Sequence, residues 1–386
     1  MALQFIILLG LVSLFGDVTY EGARSVSGPF LCTLGASAAI VGLVAGLGEF
    51  LGYALRLVSG YMADRTGKYW TFVFVGYGLL LSIPLLALAG YWEIAAVLIV
   101  LERLGKAIRT PARDTILSYS TKEVGRGWGF GIHEALDQIG AFIGPLMFSA
   151  VFFLRGGYQT GFTILWLPAL LTLGILAMAK RKIPSPEVME RPHESTPSAL
   201  GGSLPQSFWV YTLFAFLSVA GFANFQIISF HFKVRSVIPM AQIPLFYAMA
   251  MGVDALVALV IGKTYDKIGL MSLIALPLLS IPIPFLGFSA SYGLAVAGVA
   301  LWGAAMGVQE TIMRAAIADL TPMERRGLGY GIFNTAYGAS WFMGSLLMGV
   351  LYEISIKYII LFVLAMQILA LITLFLLRRS AARKVI

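Results

Sequence analysis

The chain has 386 residues, of which 59% are hydrophobic and only 12% are charged. A soluble domain carries about 25% charged residues, so the polar side chains here are too few to cover a surface in water. This composition excludes an ordinary soluble protein and favours a chain whose main solvent is lipid. The formal net charge of +8 fits either a nucleic-acid partner or cations in cytoplasmic loops, and the single Cys32 excludes a disulfide within the chain.

Twelve apolar runs are long enough to cross a bilayer, which takes about 20 residues of helix. Short polar breaks separate most of them, and the first run begins without the charged region or cleavage site of a signal peptide. In chain order, we expect membrane helices at 4–32, 38–63, 70–90, 94–120, 127–154, 159–179, 207–232, 240–263, 271–288, 291–319, 328–354 and 358–377.

The 27 Lys and Arg residues are distributed unevenly among the breaks between these runs. With the N-terminus inside, sixteen fall in inner loops and the C-terminal tail, four in outer loops and seven within the spans. Because Lys and Arg accumulate in cytoplasmic loops, this bias predicts a multi-pass protein of the inner (cytoplasmic) membrane with both termini in the cytoplasm. Topology then accounts for the basic charge, and we expect the lipid bilayer, not nucleic acid, as a partner.

One polar break is much longer than the others and divides the spans six and six. It is rich in proline and carries charges of both signs, a composition that cannot bury a core and is typical of a flexible linker. We therefore predict an N-terminal six-helix bundle at 1–181, a cytoplasmic linker at 182–206 and a C-terminal six-helix bundle at 207–386.

Two sequence patterns occur once in each half of the chain. The pattern G-x3-D-[RK]-x-G is found at 60–67 and again at 262–269, which is an offset of 202 residues. A glycine-rich pattern opens spans 5 and 11, and Gly144 and Gly344 continue it at an offset of 200. The two halves are therefore predicted to be copies, an architecture of transporters whose substrate site lies between the halves near the midplane.

The loop from Gly60 to Lys68 resembles the signature G-x-x-x-D-R-x-G-[RK] of the major facilitator superfamily. The resemblance covers the whole chain, with six helices on each side of a central loop. It implies the superfamily's fold, an all-α integral membrane protein of twelve helices in two pseudo-symmetric six-helix bundles. It also implies secondary transport by alternating access, driven by an ion gradient or by substrate exchange.

The same resemblance implies a conformational latch at the cytoplasmic side, formed by Asp64 and Arg65. Asp114, at the inner end of span 4, is the expected partner of Arg65. The alternative is that these charges only cap helices and set the topology. The predicted latch set comprises Gly60, Asp64, Arg65, Gly67, Asp114 and, in the second copy, Asp266.

Ionisable residues within the spans are concentrated in the N-terminal half. Such groups are costly in a bilayer and usually face a cavity or a partner. Helical spacing places Asp17, Glu21 and Arg24 on one face of span 1, and a second stripe of charges follows one face of span 4. We expect a buried ion-pair network from Asp17, Glu21, Arg24, Glu49, Arg56, Glu102, Arg103, Lys106, Arg109, Arg113, His133, Glu134 and Asp137.

A carboxylate in such a network can take up a proton on one side of the membrane and release it on the other, because access to water changes its burial and its charged neighbours. Asp17, Glu49 and Asp137 are the leading candidates, and the alternative is static pairing that only neutralises costly charges. Many superfamily members have an arginine in the middle of span 4, and Arg103 lies about one turn further inward. The predicted proton-coupling set is Asp17, Glu21, Glu49, Glu102, Arg103, Glu134 and Asp137.

Polar and aromatic residues of both halves are candidates for contact with the substrate. In the C-terminal half these residues can bond or stack on a small molecule, although each could equally serve as a contact between helices. The predicted cavity set is Arg24, Arg56, Arg109, Asn224, Gln226, Gln309, Asn334 and Trp341.

The favoured function is proton-coupled export of a small molecule by a monomer. Gly140-x3-Gly144-Pro145 in span 5 resembles the start of the superfamily's antiporter motif, although a packing kink would explain the same residues. The alternative is an organic-anion uptake carrier or exchanger that uses buried Arg residues, and a non-transporting receptor is a third. We expect no enzyme activity, cofactor or metal, because no ATP-binding loop, nucleophile setting or metal-ligand spacing is present.

Overall fold

The computed structural model describes residues 2–121, 124, 126–184, 204–321 and 326–382. Over these ranges the chain forms α-helices, short 3₁₀ segments and turns, with no strand. Most of the predicted linker, 185–203, lies outside the described residues. The predicted all-α fold is therefore confirmed.

Seven helices form the first part of the described chain. Helix α3 continues through 3₁₀ segments at Leu79–Ser82 and Pro84–Leu88, and Pro111 and Pro145 lie inside long helices. The helices are α1 (Ala2–Thr33), α2 (Ala38–Thr66), α3 (Tyr69–Gly78), α4 (Trp92–Thr121), α5 (Arg126–Phe153), α6 (Tyr158–Ile164) and α7 (Trp166–Lys182).

Eight helices form the second part, between residues 204 and 382 where the structure describes them. Further 3₁₀ segments at Met240–Gln242 and Gly269–Ile274 flank α10. The helices are α8 (Gln206–Ala220), α9 (Phe225–Val234), α10 (Ile243–Ile268), α11 (Ala275–Ser280), α12 (Ile283–Gly287), α13 (Tyr292–Leu320), α14 (Arg326–Ile354) and α15 (Ile356–Ala382).

Nine segments of the described chain are long and apolar enough to cross a membrane. One of them, Met240–Gly287, has 48 residues, which is enough for two crossings. Helices α4 and α14 are not among the nine, and α4 carries the stripe of charged residues. The chain is therefore a multi-pass membrane protein, while the count of twelve spans stays a prediction.

The helices form two compact units, and each includes one short segment from the opposite half of the sequence. The bundle boundaries at 181 and 207 stay a prediction. Unit 1 comprises Met1–Gly35, Leu51–Ser195 and Met240–Ala248, and unit 2 comprises Ala36–Phe50, Thr196–Pro239 and Met249–Ile386.

The repeated loop pattern ends a helix in the same way in both copies. Gly67 follows α2 with φ +64°, and Gly269 follows α10 with φ +58°. This left-handed conformation is strained for residues with a Cβ and is typical of the glycine that terminates a helix. The second glycine of G-x3-D-[RK]-x-G therefore makes the turn that the sequence predicts.

The repeated glycines of spans 5 and 11 also have matching surroundings. In unit 1, a Cβ at Gly144 of α5 would lie 2.7 Å from the backbone nitrogen of Gly22 in α1. In unit 2, a Cβ at Gly344 of α14 would lie 2.8 Å from Cα of Ala220 in α8. Each glycine lets two helix backbones approach more closely than any side chain would allow.

Candidate functional site

Helices α1, α4 and α5 bring acidic and basic side chains together inside unit 1. Asp17 of α1 is only 8% exposed and interacts most strongly with Asp137 of α5, followed by Lys106 and Glu21. The carboxyl groups of Asp17 and Asp137 lie within hydrogen-bonding reach of one another. Two residues of the predicted proton-coupling set, 120 positions apart in the sequence, therefore meet.

Ser13 connects this carboxyl pair to a cation on α4. Its hydroxyl donates to Asp137 and accepts a 3.0 Å hydrogen bond from Arg113. Arg113 also forms a 2.9 Å ion pair with Asp114, its neighbour on the same helix. His133, one helical turn before Asp137, is buried and interacts electrostatically with both Arg113 and Asp137.

A second ion pair forms between two residues of α4. Arg109 is 3.0 Å from Glu102, and both side chains are almost fully buried. Arg109 also donates to the carbonyl of Gly76 at 3.3 Å, and its guanidinium lies 4.8 Å from the centre of the Tyr77 ring. The predicted cavity residue Arg109 is thus held by a carboxylate, a carbonyl and an aromatic face.

Three cations lie near the aromatic ring of Tyr20 on α1. The guanidinium carbon of Arg103 lies 4.3 Å from the ring centre, the ammonium of Lys106 lies 4.4 Å from it, and Arg24 lies 5.9 Å from it. Tyr20 itself is 4% exposed. Among the described residues, its buried hydroxyl has no hydrogen-bond partner.

Glu21, next to Tyr20 in sequence, is held from two sides. It accepts a 2.6 Å hydrogen bond from Tyr247, which belongs to the Met240–Ala248 segment of unit 1. Arg24 forms a 3.4 Å ion pair with the other carboxylate oxygen. Glu21 and Arg24, predicted to share one helix face, are therefore in direct contact.

The predicted polar residues of unit 2 are mostly engaged in helix contacts. Asn224 caps α9 by accepting from the backbone of Ile227 at 2.9 Å, and it donates to Ser345 at 2.7 Å. Gln309 donates to Tyr337 at 2.5 Å. In the same unit, Gln226 and Glu49 are buried, Asn334 is half-buried, and Trp341 meets Phe222 edge-on. Their roles in substrate binding or proton coupling stay predictions.

Four residues of the predicted latch lie at exposed positions, and Gly60 and Asp114 are half-buried. Asp64 accepts a 3.1 Å hydrogen bond from Tyr69, and Arg65 and Asp266 are exposed. Asp114, the expected partner of Arg65, is paired with Arg113. Gly60 packs close to Pro111 of α4, with a notional Cβ at 3.3 Å, so it serves as a packing position. The latch function itself stays a prediction.

Two further predicted residues contact neighbours on their own helices. Arg56 of α2 is half-buried over the ring of Tyr53, at 4.6 Å from its centre. Glu134 of α5 is exposed and contacts Gln138 on the same helix at 3.5 Å.

Three residues that contact the buried charges of unit 1 were not assigned a role from the sequence. Ser13 lies one turn before Asp17, so helical spacing from a buried acid could have identified it. Tyr20 is adjacent to Glu21 and is a common partner for cations. Tyr247 lies 226 residues from Glu21, and no local sequence pattern could indicate that contact.

A multi-pass helical fold with charge buried among its helices defines an integral membrane transporter as the class of this protein. The sequence profile of the Major Facilitator Superfamily matches residues 6–312 and 270–386, which together cover nearly all of the chain. The chain therefore belongs to the Major Facilitator Superfamily, and it is a secondary transporter, as the loop motif predicted.

Relatives from bacteria and archaea extend over nearly the whole chain. An uncharacterized protein of Mycobacterium tuberculosis is 41% identical over 386 aligned residues, covering 98% of this chain and 93% of the relative. An uncharacterized MFS-type transporter of Methanocaldococcus jannaschii is 29% identical over 361 residues, covering 90% of this chain and 88% of its own.

Solved structures show the same fold at low sequence identity. The nucleoside transporter NupG matches with a TM-score of 0.74 and 14% identity, over 97% of this chain and 98% of NupG. A bacterial homolog of the human lysosomal transporter Spinster matches with a TM-score of 0.76 and 16% identity, over 98% of this chain and 97% of its own. At this identity the likeness concerns the fold alone.

Proposed function

We propose that this protein is a proton-coupled transporter of the cytoplasmic membrane, with both termini inside, and that Asp17 and Asp137 hold the coupled proton. The observation that carries the proposal is the contact between these two acidic side chains, one from α1 and one from α5. Two carboxylates in contact with each other repel strongly in a buried site, and a single shared proton removes the repulsion. The pair therefore behaves as one proton site.

The surroundings of the pair provide a way to release that proton. Lys106 interacts with both carboxyl groups, and Arg113 interacts with Asp137 directly and through Ser13. A small movement of α4 relative to α1 and α5 changes the distances to these cations. Because charge interactions in a buried site are strong, such a movement shifts the balance between the shared proton and two separate ion pairs.

The second part of the proposal is the direction of transport, which is export. Export in exchange for protons rests on the glycines and proline of span 5, and Gly140 and Gly144 both pack against backbone atoms of α1. That packing accounts for both glycines without any reference to direction. A measurement of solute and proton flux is therefore needed to distinguish export from organic-anion uptake.

The proposal is tested in proteoliposomes that enclose a pH-sensitive dye. A panel of neutral, anionic and cationic solutes is supplied on one side, and solute and proton movements are followed together under a pH gradient. Asp17→Asn and Asp137→Asn are expected to abolish gradient-driven accumulation of the transported solute, because an amide cannot exchange a proton. The matched control is Glu93→Gln, an exposed acid in the first turn of α4.

Exchange of labelled for unlabelled solute at equal pH on both sides serves as the control for folding and for the transport cycle. Variants that still exchange solute are folded and cycling, so a lost gradient dependence is attributed to the proton site. Gradient-driven accumulation that stays at the wild-type level in both Asn variants would refute the assignment. Solute movement with proton movement in the opposite sense supports export by exchange, and movement in the same sense supports cotransport.

A further inference from the structure

A short segment from the second half of the sequence packs among the helices of the first half. This segment, Met240–Ala248, is called the strap below; it belongs to unit 1, whereas the rest of α10 belongs to unit 2 from Met249 onwards. In the predicted topology α10 begins on the outer side of the membrane, so the strap lies there. A transporter with alternating access opens and closes this side, and we expect the contacts of the strap with unit 1 to break and form in each cycle.

Two hydrogen bonds hold the strap, one neutral and one to an acidic side chain. Ser149, near the end of α5, donates to the carbonyl of Ala241 at 2.6 Å. Tyr247, near the other end of the strap, donates to the carboxylate of Glu21 on α1, also at 2.6 Å, and both side chains are buried. A hydrogen bond to an ionised group is about twice as strong as a neutral one, so the second bond depends on the charge of Glu21.

The charged and titratable groups near this bond come from the strap and from three helices of unit 1. Glu21 faces Arg24 and Asp17, and Tyr247 also faces Arg103. Apart from Tyr247, all of these groups lie on helices of the first half. Release of the strap therefore removes the hydroxyl from Glu21 and leaves the other neighbours on their helices in unit 1. These neighbours are Asp17 and Arg24 of α1, Arg103 and Lys106 of α4, and Asp137 of α5, of which Lys106 and Asp137 face Asp17.

The sequence repeat shows that packing at this point of the fold needs no hydroxyl. The loop pattern relates the two copies by an offset of 202 residues, so the residue equivalent to Tyr247 is Ala45 of α2. Ala45 has no polar side-chain atom, and its neighbour Gly46 packs closely, with a notional Cβ 2.8 Å from Cα of Phe342. The bond of Tyr247 to Glu21 is therefore specific to the copy that carries the buried charges.

We propose that Tyr247 is a positioning residue that makes closure of the outer side depend on the charge of Glu21. In the docked strap the hydroxyl favours the carboxylate form of Glu21, and release of the strap removes that support. By reciprocity, protonation of Glu21 favours release. The proposal rests on the proposed function for its alternating access. It agrees with export in exchange for protons, because the proton is bound while the outer side is open and lost when it closes.

Release of the strap is measured with a single cysteine placed in it. In a Cys32→Ser background, Ile243→Cys puts a thiol at a position that is 1% exposed, and Ala241→Cys is a second reporter. A membrane-impermeant maleimide added to intact cells is expected to react when the strap is released. Labelling is divided by that of Arg235→Cys, an exposed position that corrects for the ionisation of the thiol itself. The corrected labelling is expected to rise as the external pH falls, because the docked strap favours the carboxylate.

Substitutions of the two anchoring residues separate the charged bond from the neutral one. Tyr247→Phe keeps the ring and removes the hydroxyl, so labelling at neutral pH is expected to increase about tenfold, the usual effect of losing a hydrogen bond to a charged group. Its rise at low pH is expected to be largely lost, as it is in Glu21→Gln. The matched control is Ser149→Ala, which is expected to increase labelling about fivefold and to keep the rise at low pH.

The same substitutions in an Asp17→Asn background separate Glu21 from the carboxyl pair. A rise in labelling at low pH is expected to remain there and to disappear when Tyr247→Phe is added. A rise that is equal in Tyr247→Phe and Ser149→Ala, or no rise in the unsubstituted reporter, would overturn the proposal and leave the proton site of Asp17 and Asp137 standing. Failure of that proton site, seen as unchanged gradient dependence in Asp17→Asn and Asp137→Asn, would leave the labelling result of Tyr247→Phe standing.

Discussion

Single residues in this protein are buried at a cost that only their partners offset. Glu102 and Arg109 show this most clearly, since both are almost fully buried and their charged groups lie 3.0 Å apart. Removing one partner of such a pair leaves an uncompensated charge in a region of low dielectric constant, whereas removing both leaves none. We therefore expect the loss of one partner to destabilise the protein more than the loss of both.

Glu102→Gln and Arg109→Gln are each expected to destabilise the protein by about 3–5 kcal/mol, the usual cost of breaking a buried ion pair. The double variant is expected to lose clearly less than the sum of the two. Thermal or denaturant unfolding in nanodiscs measures all three. Additive losses would show that the two side chains act independently and would contradict the pairing.

At this scale, helical spacing predicted individual contacts within one helix, whereas between helices it predicted only a network of charges without its individual pairs. The pairs of Glu21 with Arg24 and of Glu102 with Arg109 follow from charges on one helix face. The contact of Asp17 with Asp137 joins two helices, and their relative rotation is set by packing that no local pattern reports. The sequence therefore identified the acids and could not predict which of them meet.

Among the helices, the approach of α1 to α5 decides whether the carboxyl pair can form. Gly140 and Gly144 have no side chain where α5 crosses α1, and a notional Cβ on Gly144 would lie 2.7 Å from the nitrogen of Gly22. Any larger residue must push the helices apart. Asp17 on α1 and Asp137 on α5 would then separate as well.

Gly144→Leu is expected to abolish proton-coupled transport and to lower the melting temperature, because a leucine does not fit between the two backbones. The control is Gly131→Ala on the same helix, where a notional Cβ meets nothing within 4 Å. Since alanine favours helix by about 1 kcal/mol over glycine, that variant is expected to be neutral or slightly more stable. Transport and stability measured side by side test the difference, and equal effects of both substitutions would contradict the packing role.

The helix scale was also the one at which sequence repeats were most informative. Gly67 and Gly269 have left-handed conformations at the ends of α2 and α10, and Gly144 and Gly344 have equivalent contacts in units 1 and 2. Both follow from the offset of about 200 residues between the copies. The repeat was visible because a glycine required by backbone geometry cannot be replaced without strain.

For the whole molecule, composition and hydropathy predicted the fold class, and the family match confirms it. The number of spans stays a prediction, because α4 carries too many charges to qualify as a span in the structure by its hydropathy, and the region Met240–Gly287 qualifies as one continuous stretch. The linker at 185–203 lies outside the described residues. The bounds of this linker therefore stay a prediction from its composition.

The orientation in the membrane rests on the sixteen cations assigned to inner positions against four assigned to outer loops. In a Cys32→Ser background, Arg235→Cys is expected to react with a membrane-impermeant maleimide in intact cells. Lys68→Cys is expected to react only after the membrane is permeabilised. Both positions are exposed in the structure, so access is decided by the side of the membrane. The reverse labelling pattern would contradict cytoplasmic termini.

The most direct test of the shared proton is infrared difference spectroscopy of the reconstituted protein during a pH titration. A protonated carboxyl group in a buried site has a C=O stretching band distinct from that of a carboxylate. The wild type is expected to show one such band that disappears as the pH rises, and both Asp17→Asn and Asp137→Asn are expected to lack it. A band that persists unchanged in both variants, or no titrating band in the wild type, would contradict the proposal that this carboxyl pair holds the coupled proton.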